Sequence, residues 1–478
     1  MIKRILAMVL CAALLPCCAA AEWGLSPNNP QVLTLWHYYN GAQQRVFDEK
    51  VAEFNETVGS EMGIVIEAVS QGSVGDVTEK LLAAARGDMG AEQMPDICSA
   101  YADTAHTVNK MGMIADLSAY MTPEECDEYM DAYIHEGQLD ADGTLKVFPI
   151  AKSTELMLVN KTVWDQFAAE TGVTVEQLAT WEGLADVSRR YYEWTDAQTD
   201  APDDGQPFFG RDAFANYILI GSLQLGAEMF EVENGQLTLN IEESVMRRLW
   251  DSFVVPYVSG WYGAYGRFRS DDIKTGQLAA LVGSTSGALY FPSEVTRDDG
   301  TAYPIECMAL PVPNFEGTSP CAVQQGAGMV VSKSTPAREY AATVFLKWFT
   351  RTENSLAFSL QSGYLPVKKE GNDPALLASA MDEQQVNGLF RQIIEIGVYT
   401  TSTYRLYTNN AFDNGYEARA VVDASMLEAA RSAVKEREKL TADGMSRADA
   451  IARLTGDDAF STWLAAFRKD MAAALEQK

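Results

Sequence analysis

The apolar positions of the chain alternate between strand-type and helix-type spacing. Gln31 to Leu35 reads as a short strand that runs into Trp36-His37-Tyr38-Tyr39-Asn40-Gly41. Beyond it, Phe47, Val51 and Phe54 recur at i, i+4 and i+7, the spacing of one helix face. A strand over Ile64 to Val69, a helix with Val77, Leu81, Leu82 and Ala85 on one side, and a strand opening at Met94-Pro95-Asp96-Ile97 continue the alternation. Strand–helix–strand order with short connections predicts a mainly parallel sheet covered by helices on both faces. Ligands of such sheets sit at the carboxyl ends of the strands, where Trp36 to Gly41 and Tyr101-Ala102-Asp103 fall.

The rest of the chain is richer in helix. Thr144 to Lys161 is a long extended stretch interrupted at Pro149. Helical spacing follows over Lys161–Thr171, Trp181–Asp196, Phe214–Leu225 and Glu243–Tyr257. Gly276 to Leu281 leads a strand into Gly283-Ser284-Thr285-Ser286-Gly287, where a helix is predicted to start. Tyr303 to Pro313 is extended again, and Met329 to Val331 is a buried strand. A proline-initiated helix then carries Ala341, Val344, Phe345, Trp348 and Phe349 on one side. After the Arg351-Thr352-Glu353-Asn354 break, a second helix delivers the chain to Gly363-Tyr364-Leu365-Pro366. The C-terminal region is helical and ends in the packing stripe Phe460, Trp463, Leu464, Phe467 and Met471.

A length of 478 residues exceeds one compact core and predicts at least two domains. With 47% hydrophobic residues the chain can bury a sizeable core. The formal net charge of −29 excludes an extended nucleic-acid footprint, since no basic run is present to neutralise phosphates. A small anionic ligand stays open, because a local cationic cluster outweighs a distant field screened within roughly 8 Å. Met1 to Ala21 reads as a signal peptide: Lys3 and Arg4, then the apolar Ile5 to Leu15, then Ala19-Ala20-Ala21. Soluble export is the preferred reading, and a lipid anchor on Cys17 or Cys18 is the alternative. Cys98, Cys126, Cys307 and Cys321 show no metal-ligand spacing. Cys307 and Cys321 flank Pro311-Val312-Pro313-Asn314, so either a disulfide or two small buried thiols fits, the second being favoured.

The inventory for catalysis is thin. The three histidines, His37, His106 and His135, are not paired at i, i+3 or i+4, and no nucleophile, metal or phosphate-loop motif occurs. Aromatics beside polar residues fit capture of a small polar ligand instead. Trp36, Tyr38 and Tyr39 are placed to stack on a sugar face, with core packing as the competing reading for each. Thr285 and Ser286 supply donors at a helix start, where simple N-capping competes. Arg419 offers a planar fork of donors suited to phosphate, against the competing reading of a surface arginine paired to a carboxylate.

Several motifs together carry a resemblance. Trp36-His37 with Gly41, a Ser153-Thr154 crossing before Asn160-Lys161, Thr285-Ser286-Gly287, a Gly326-Ala327 strand, Gly363-Tyr364-Leu365-Pro366, and a late Arg419 ahead of Val422-Asp423 occur in this order. The order resembles the extracellular solute-binding proteins that feed ABC importers, in particular the glycerol-3-phosphate-binding branch. The resemblance implies an α/β, two-lobed periplasmic-binding-protein-like fold with a helical C-terminal region. It places residues 22–151 and 303–350 in one lobe and 152–302 and 351–478 in the other. It also implies a monomer that closes by hinge motion on a solute in the cleft between the lobes, hands it to an ABC permease and uses no cofactor. The location would be extracytoplasmic. Ser153, Thr285 or Ser286, Gly326 through its backbone, Tyr364 and Arg419 would touch the ligand. The branch's acidic residue after a tyrosine is absent at Ala102, and Asp103 follows one step later. A tryptophan-rich segment of the branch is replaced here by Arg211-Asp212-Ala213-Phe214. The ligand would accordingly be glycerol-3-phosphate, another phosphodiester or a sugar. A secreted carbohydrate-active enzyme is the competing function.

Overall fold

A computed structural model describes residues 22–476 apart from 234, 235, 298 and 387. The signal-peptide reading and the lipid-anchor cysteines lie outside the described residues. The described chain divides into two compact units, residues 22–152 with 326–386, and residues 153–325 with 388–476.

The first unit is built on a five-stranded sheet. Its order is Ile64–Ser70, Gln31–His37, Ile97–Ala100, Gly328–Val331, Val147–Phe148. The first three strands are parallel, with Leu35 opposite Ile97 and Trp36 opposite Cys98. Gly328–Val331 runs antiparallel to both of its neighbours. Every residue of Ile97–Ala100 is buried, as a central strand covered on both faces requires, whereas the edge strand Ile64–Ser70 is only partly buried. The helix Gly41–Phe54 packs Val46, Phe47, Val51 and Phe54 inward, one side of the turn. The helix Val74–Arg86 begins at Ser73, whose side chain accepts from the Asp76 amide, and stops at Gly87 with φ +68.

The second unit holds a four-stranded sheet ordered Cys307–Pro311, Glu155–Asn160, Ala280–Ser284, Phe209–Arg211. Glu155–Asn160 is antiparallel to both neighbours, and Phe209–Arg211 is parallel to Ala280–Ser284. Its core is strongly aromatic. Trp250 lies 5.2 Å from Trp463, which stacks on Phe467 at 5.4 Å, so the C-terminal helix Asp457–Leu475 buries the stripe read from its spacing.

The domain boundaries differ from the expected ones, by one residue at the first crossing and by more at the other two. The first crossing falls at 152/153, one residue from the expected position. The second falls at 325/326 rather than 302/303, because Cys307–Pro311 pairs with Glu155–Asn160 and Cys321–Val323 pairs with Arg405–Tyr407, all in the second unit. The third falls at 386/387 rather than 350/351, because the helix Thr352–Ser362 stays on the first unit, where Phe358 packs against Phe349 at 5.2 Å and Phe47 at 6.3 Å. The sheets are mixed where mainly parallel ones were expected. Strands on which the chain re-enters a unit, such as Gly328–Val331, meet their neighbours from the opposite direction. Cys307 and Cys321 are free thiols, as are Cys98 and Cys126.

Candidate functional site

In the first unit the candidate residues gather where Gln31–His37 ends. Tyr38 is buried, and its hydroxyl accepts from the Ala327 amide (3.3 Å) and the Tyr364 hydroxyl (3.2 Å). Both lone pairs are then occupied, which leaves the Tyr38 proton to donate. Burial, followed by the neighbouring Tyr364 and Tyr101, pushes the Tyr38 phenol well above its ordinary range, so it stays a neutral donor. Tyr364 stacks on Phe358 at 5.8 Å. Gly326 adopts φ +94, open to glycine alone at little cost, and its carbonyl accepts from Lys152 Nζ at 2.8 Å.

Other expected contacts of this unit are placed differently. Trp36 is buried within the sheet. Tyr39 has no exposed surface and sits among Phe47, Phe358 and Tyr364, so packing takes the ring faces that a sugar would use. Asp103 is buried, and its Oδ1 accepts from the Thr104 amide (2.6 Å).

His37 is fully buried. Its Nδ1 accepts from the Tyr39 amide at 3.2 Å, so the ring is the neutral Nε2–H tautomer, and burial lowers its pKa from 6.5 to about 4. Folded protein therefore resists protonation that unfolded chain accepts. The stabilisation is complete above pH 6.5 and is lost as pH falls toward 4. Between pH 7 and pH 5 the loss amounts to about 2 kcal/mol. Urea unfolding at both pH values checks this against His37→Gln, which keeps an acceptor but does not titrate. The variant is expected to lose about 2 kcal/mol less than the wild type across that interval, and equal losses would refute the assignment.

In the second unit a polar chain links Arg419 to the buried Arg211 through Glu155 and Asn216, two residues that carry no motif. Glu155 Oε1 accepts from Arg211 Nη2 (2.7 Å) and Asn216 Nδ2 (2.8 Å). Asn216 Oδ1 in turn accepts from Arg419 Nη2 (2.6 Å), and Arg419 Nη1 reaches Asn409 Oδ1 (2.8 Å). Arg419 is half-buried and its hydrogen-bond partners are neutral amides; among the described residues no carboxylate lies within ion-pair distance of it. The competing reading of a carboxylate-paired surface arginine does not hold. A cavity of about 10 Å³, room for a single water, touches Glu155, Arg211 and Asn216.

The predicted helix start after Ser284 is a six-residue 3-10 turn, Thr285–Tyr290. Its donors are largely spent: Gly287 N–H goes to Ser284 Oγ (2.9 Å) and Thr285 N–H to the Thr154 carbonyl (2.8 Å). Thr285 is fully buried, and Ser286 Oγ lies 3.0 Å from Ser284 Oγ. Capping by Ser284 describes this segment, and no dipole-bearing helix terminus stands there. Ser153 is buried and exchanges both backbone hydrogen bonds with Gln325 at 2.8 Å. Its partner segments are far apart in sequence, which is why spacing alone gave no sign of the pairing. Near them, Asp212 Oδ1 accepts from the Arg269 amide (3.1 Å), and Ala213 is held at φ +46, a strained value for a residue with a Cβ.

Among the described residues no group of side chains suits a metal ion, and no helix is long and apolar enough to cross a membrane. A family model for bacterial extracellular solute-binding proteins matches residues 49–383. The chain belongs to that family. Solved structures share the fold of this solute-binding protein. The cyclic alpha-maltosyl-1,6-maltose binding protein of Arthrobacter globiformis is 19% identical, with a TM-score of 0.67 over 94% of this chain and 100% of that one. UgpB of Mycobacterium tuberculosis, in complex with glycerophosphocholine, is 17% identical, with a TM-score of 0.66 over 93% and 100%. The GacH receptor of Streptomyces glaucescens, solved unliganded and with acarbose, is 14% identical, with a TM-score of 0.65 over 91% and 99%. A comparison with curated protein sequences finds no match. Family membership places this solute-binding protein outside the cytoplasm, binding a small solute.

Proposed function

We propose that this solute-binding protein serves an ABC importer and captures a phosphate-bearing polyol, glycerol-3-phosphate or a glycerophosphodiester. One observation carries the choice: Arg419 is oriented by two neutral amide oxygens and lacks a carboxylate partner among the described residues. A guanidinium fixed in this way keeps its charge for an anion, and its planar fork matches phosphate oxygens. UgpB, similar in fold, was solved with glycerophosphocholine. In the first unit the same reading assigns the Tyr38 proton and Tyr364 to solute hydroxyls.

A sugar is the second reading, favoured by the cyclic alpha-maltosyl-1,6-maltose for which one of the other two proteins is named and the acarbose bound by the other. It is weakened by the burial of Trp36, Tyr38 and Tyr39, the three proposed stacking rings. A thermal-shift series with glycerol-3-phosphate, glycerophosphocholine and maltotriose separates the two. Ligand at 100 times its Kd stabilises the native state by about 2.7 kcal/mol. The melting temperature is expected to rise by several degrees with the phosphorylated compounds. A rise with maltotriose alone would install the sugar reading, and no rise with any of the three would refute both.

A further inference from the structure

Lys152 belongs to no motif, yet it is among the most buried lysines a chain can carry, with 1% of its side chain exposed. Its ammonium pairs with Glu136, whose side chain is 8% exposed, and donates to the Gly326 carbonyl at 2.8 Å. That carbonyl shares one peptide group with the Ala327 amide, which donates to the Tyr38 hydroxyl at 3.3 Å. A peptide group is planar and stiff, so fixing its oxygen fixes the direction of its N–H. The backbone of Lys152 meanwhile pairs with Leu365 in both directions, its N–H to the Leu365 carbonyl (3.3 Å) and the Leu365 N–H to its own carbonyl (2.5 Å). Leu365 directly follows Tyr364, whose hydroxyl donates to Tyr38. One residue thus holds both groups that feed the Tyr38 oxygen.

We infer that Lys152 is a positioning residue for the Tyr38–Tyr364 pair, its ammonium setting the 326–327 peptide and its backbone setting the Tyr364 segment. The inference rests on the reading of Tyr38 and Tyr364 as solute contacts only for its effect on binding. Its local claim stands apart from that reading. Glycine at 326 is part of the device, since the positive φ turns the carbonyl toward Lys152. Glu136 supplies the countercharge without which a buried ammonium would be costly.

The test removes the charge pair as a whole. Lys152→Met with Glu136→Leu leaves no unpaired buried charge, and such apolar replacements are commonly tolerated. Hydrogen exchange followed by mass spectrometry on peptides spanning Ala327 is expected to speed up at least tenfold in the full-length double variant, with its urea midpoint close to wild type. Lys152→Gln with Glu136→Gln, which keeps a donor for Gly326, is expected to exchange within threefold of wild type. Wild-type protection in the Met/Leu variant would overturn the inference. So would a Gln/Gln variant as labile as Met/Leu, or a Met/Leu chain that fails to fold, since either result assigns the pair to stability alone. Calorimetry with glycerophosphocholine and maltotriose completes the experiment, with at least tenfold weaker binding expected in Met/Leu. A wild type that binds neither compound would remove the solute assignment and leave the exchange result standing.

Discussion

Replacing Glu155 by leucine is expected to destabilise the protein by about 3–5 kcal/mol. The Glu155–Arg211 pair is almost entirely buried, with side-chain exposures of 4% and 1%. Without the carboxylate, Arg211 keeps hydrogen bonds only to the Asp212 and Ala213 carbonyls, at 3.2 and 3.4 Å, with the rings of Trp181 and Tyr217 beneath it. The Asp212 carboxylate also acts on it, but that charge is already engaged by Arg269 at 3.6 Å and offsets the guanidinium only in part. Removing both charges, with Glu155→Leu and Arg211→Met, is expected to recover most of the loss, because two apolar side chains incur no desolvation penalty. Urea unfolding followed by circular dichroism measures both. A single variant within 1 kcal/mol of wild type would show that water reaches the pair and that the buried network is not a structural element.

Arg419→Ala is expected to weaken binding of the phosphorylated solute by about 2–5 kcal/mol, the range for truncating one side of a desolvated charge pair. Arg419→Lys is expected to fall well short of wild type, since one ammonium nitrogen cannot reproduce the planar fork whose two nitrogens reach Asn409 and Asn216 separately and still present an edge to phosphate. The fold should survive, because Arg419 is half-buried and its removal leaves two neutral amides rather than an unpaired charge. Calorimetry on variants of unchanged circular dichroism decides the matter. A loss of less than about threefold, under 1 kcal/mol, would reject the phosphate assignment and move the sugar reading ahead. The two experiments are linked through Asn216, whose Nδ2 donates to Glu155 while its Oδ1 accepts from Arg419. Glu155→Leu should therefore weaken phosphate binding as well, by loosening the amide that aims the guanidinium.

What the chain spells out by itself is local. The apolar spacing of Phe47, Val51 and Phe54 places a helix face because the 3.6-residue period of the helix stacks those positions, and the helix Gly41–Phe54 buries all three. The stripe from Phe460 to Met471 is legible for the same reason. Ser73 before Val74–Arg86 and Pro336 at the start of Pro336–Phe349 mark helix beginnings through capping chemistry that involves only near neighbours. Motif order was enough to recognise the family, since it depends on the sequence alone.

Tertiary structure decided whatever depends on pairing at long range. Nothing in the composition of Cys307–Pro311 tells which sheet it joins, and its partner, Glu155–Asn160, lies about 150 residues earlier in the chain. The second boundary was misplaced for that reason, and the third because the packing of Phe358 on Phe47, about 300 residues away, keeps Thr352–Ser362 on the first unit. Periodicity likewise cannot say whether an aromatic at a strand end faces inward: the rings around Tyr39 include Phe358 and Tyr364 from segments distant in sequence, and Trp36 is buried in a sheet between Val69 and Cys98 of the neighbouring strands. The turn after Ser284 looked like a helix start because its residues cap well; only the Thr154 carbonyl, just ahead of the neighbouring strand, shows that the Thr285 amide is already used. Lys152 and Glu155 were invisible to motif reading because a buried charge is defined by what surrounds it, and in the sequence each is one charged residue among many.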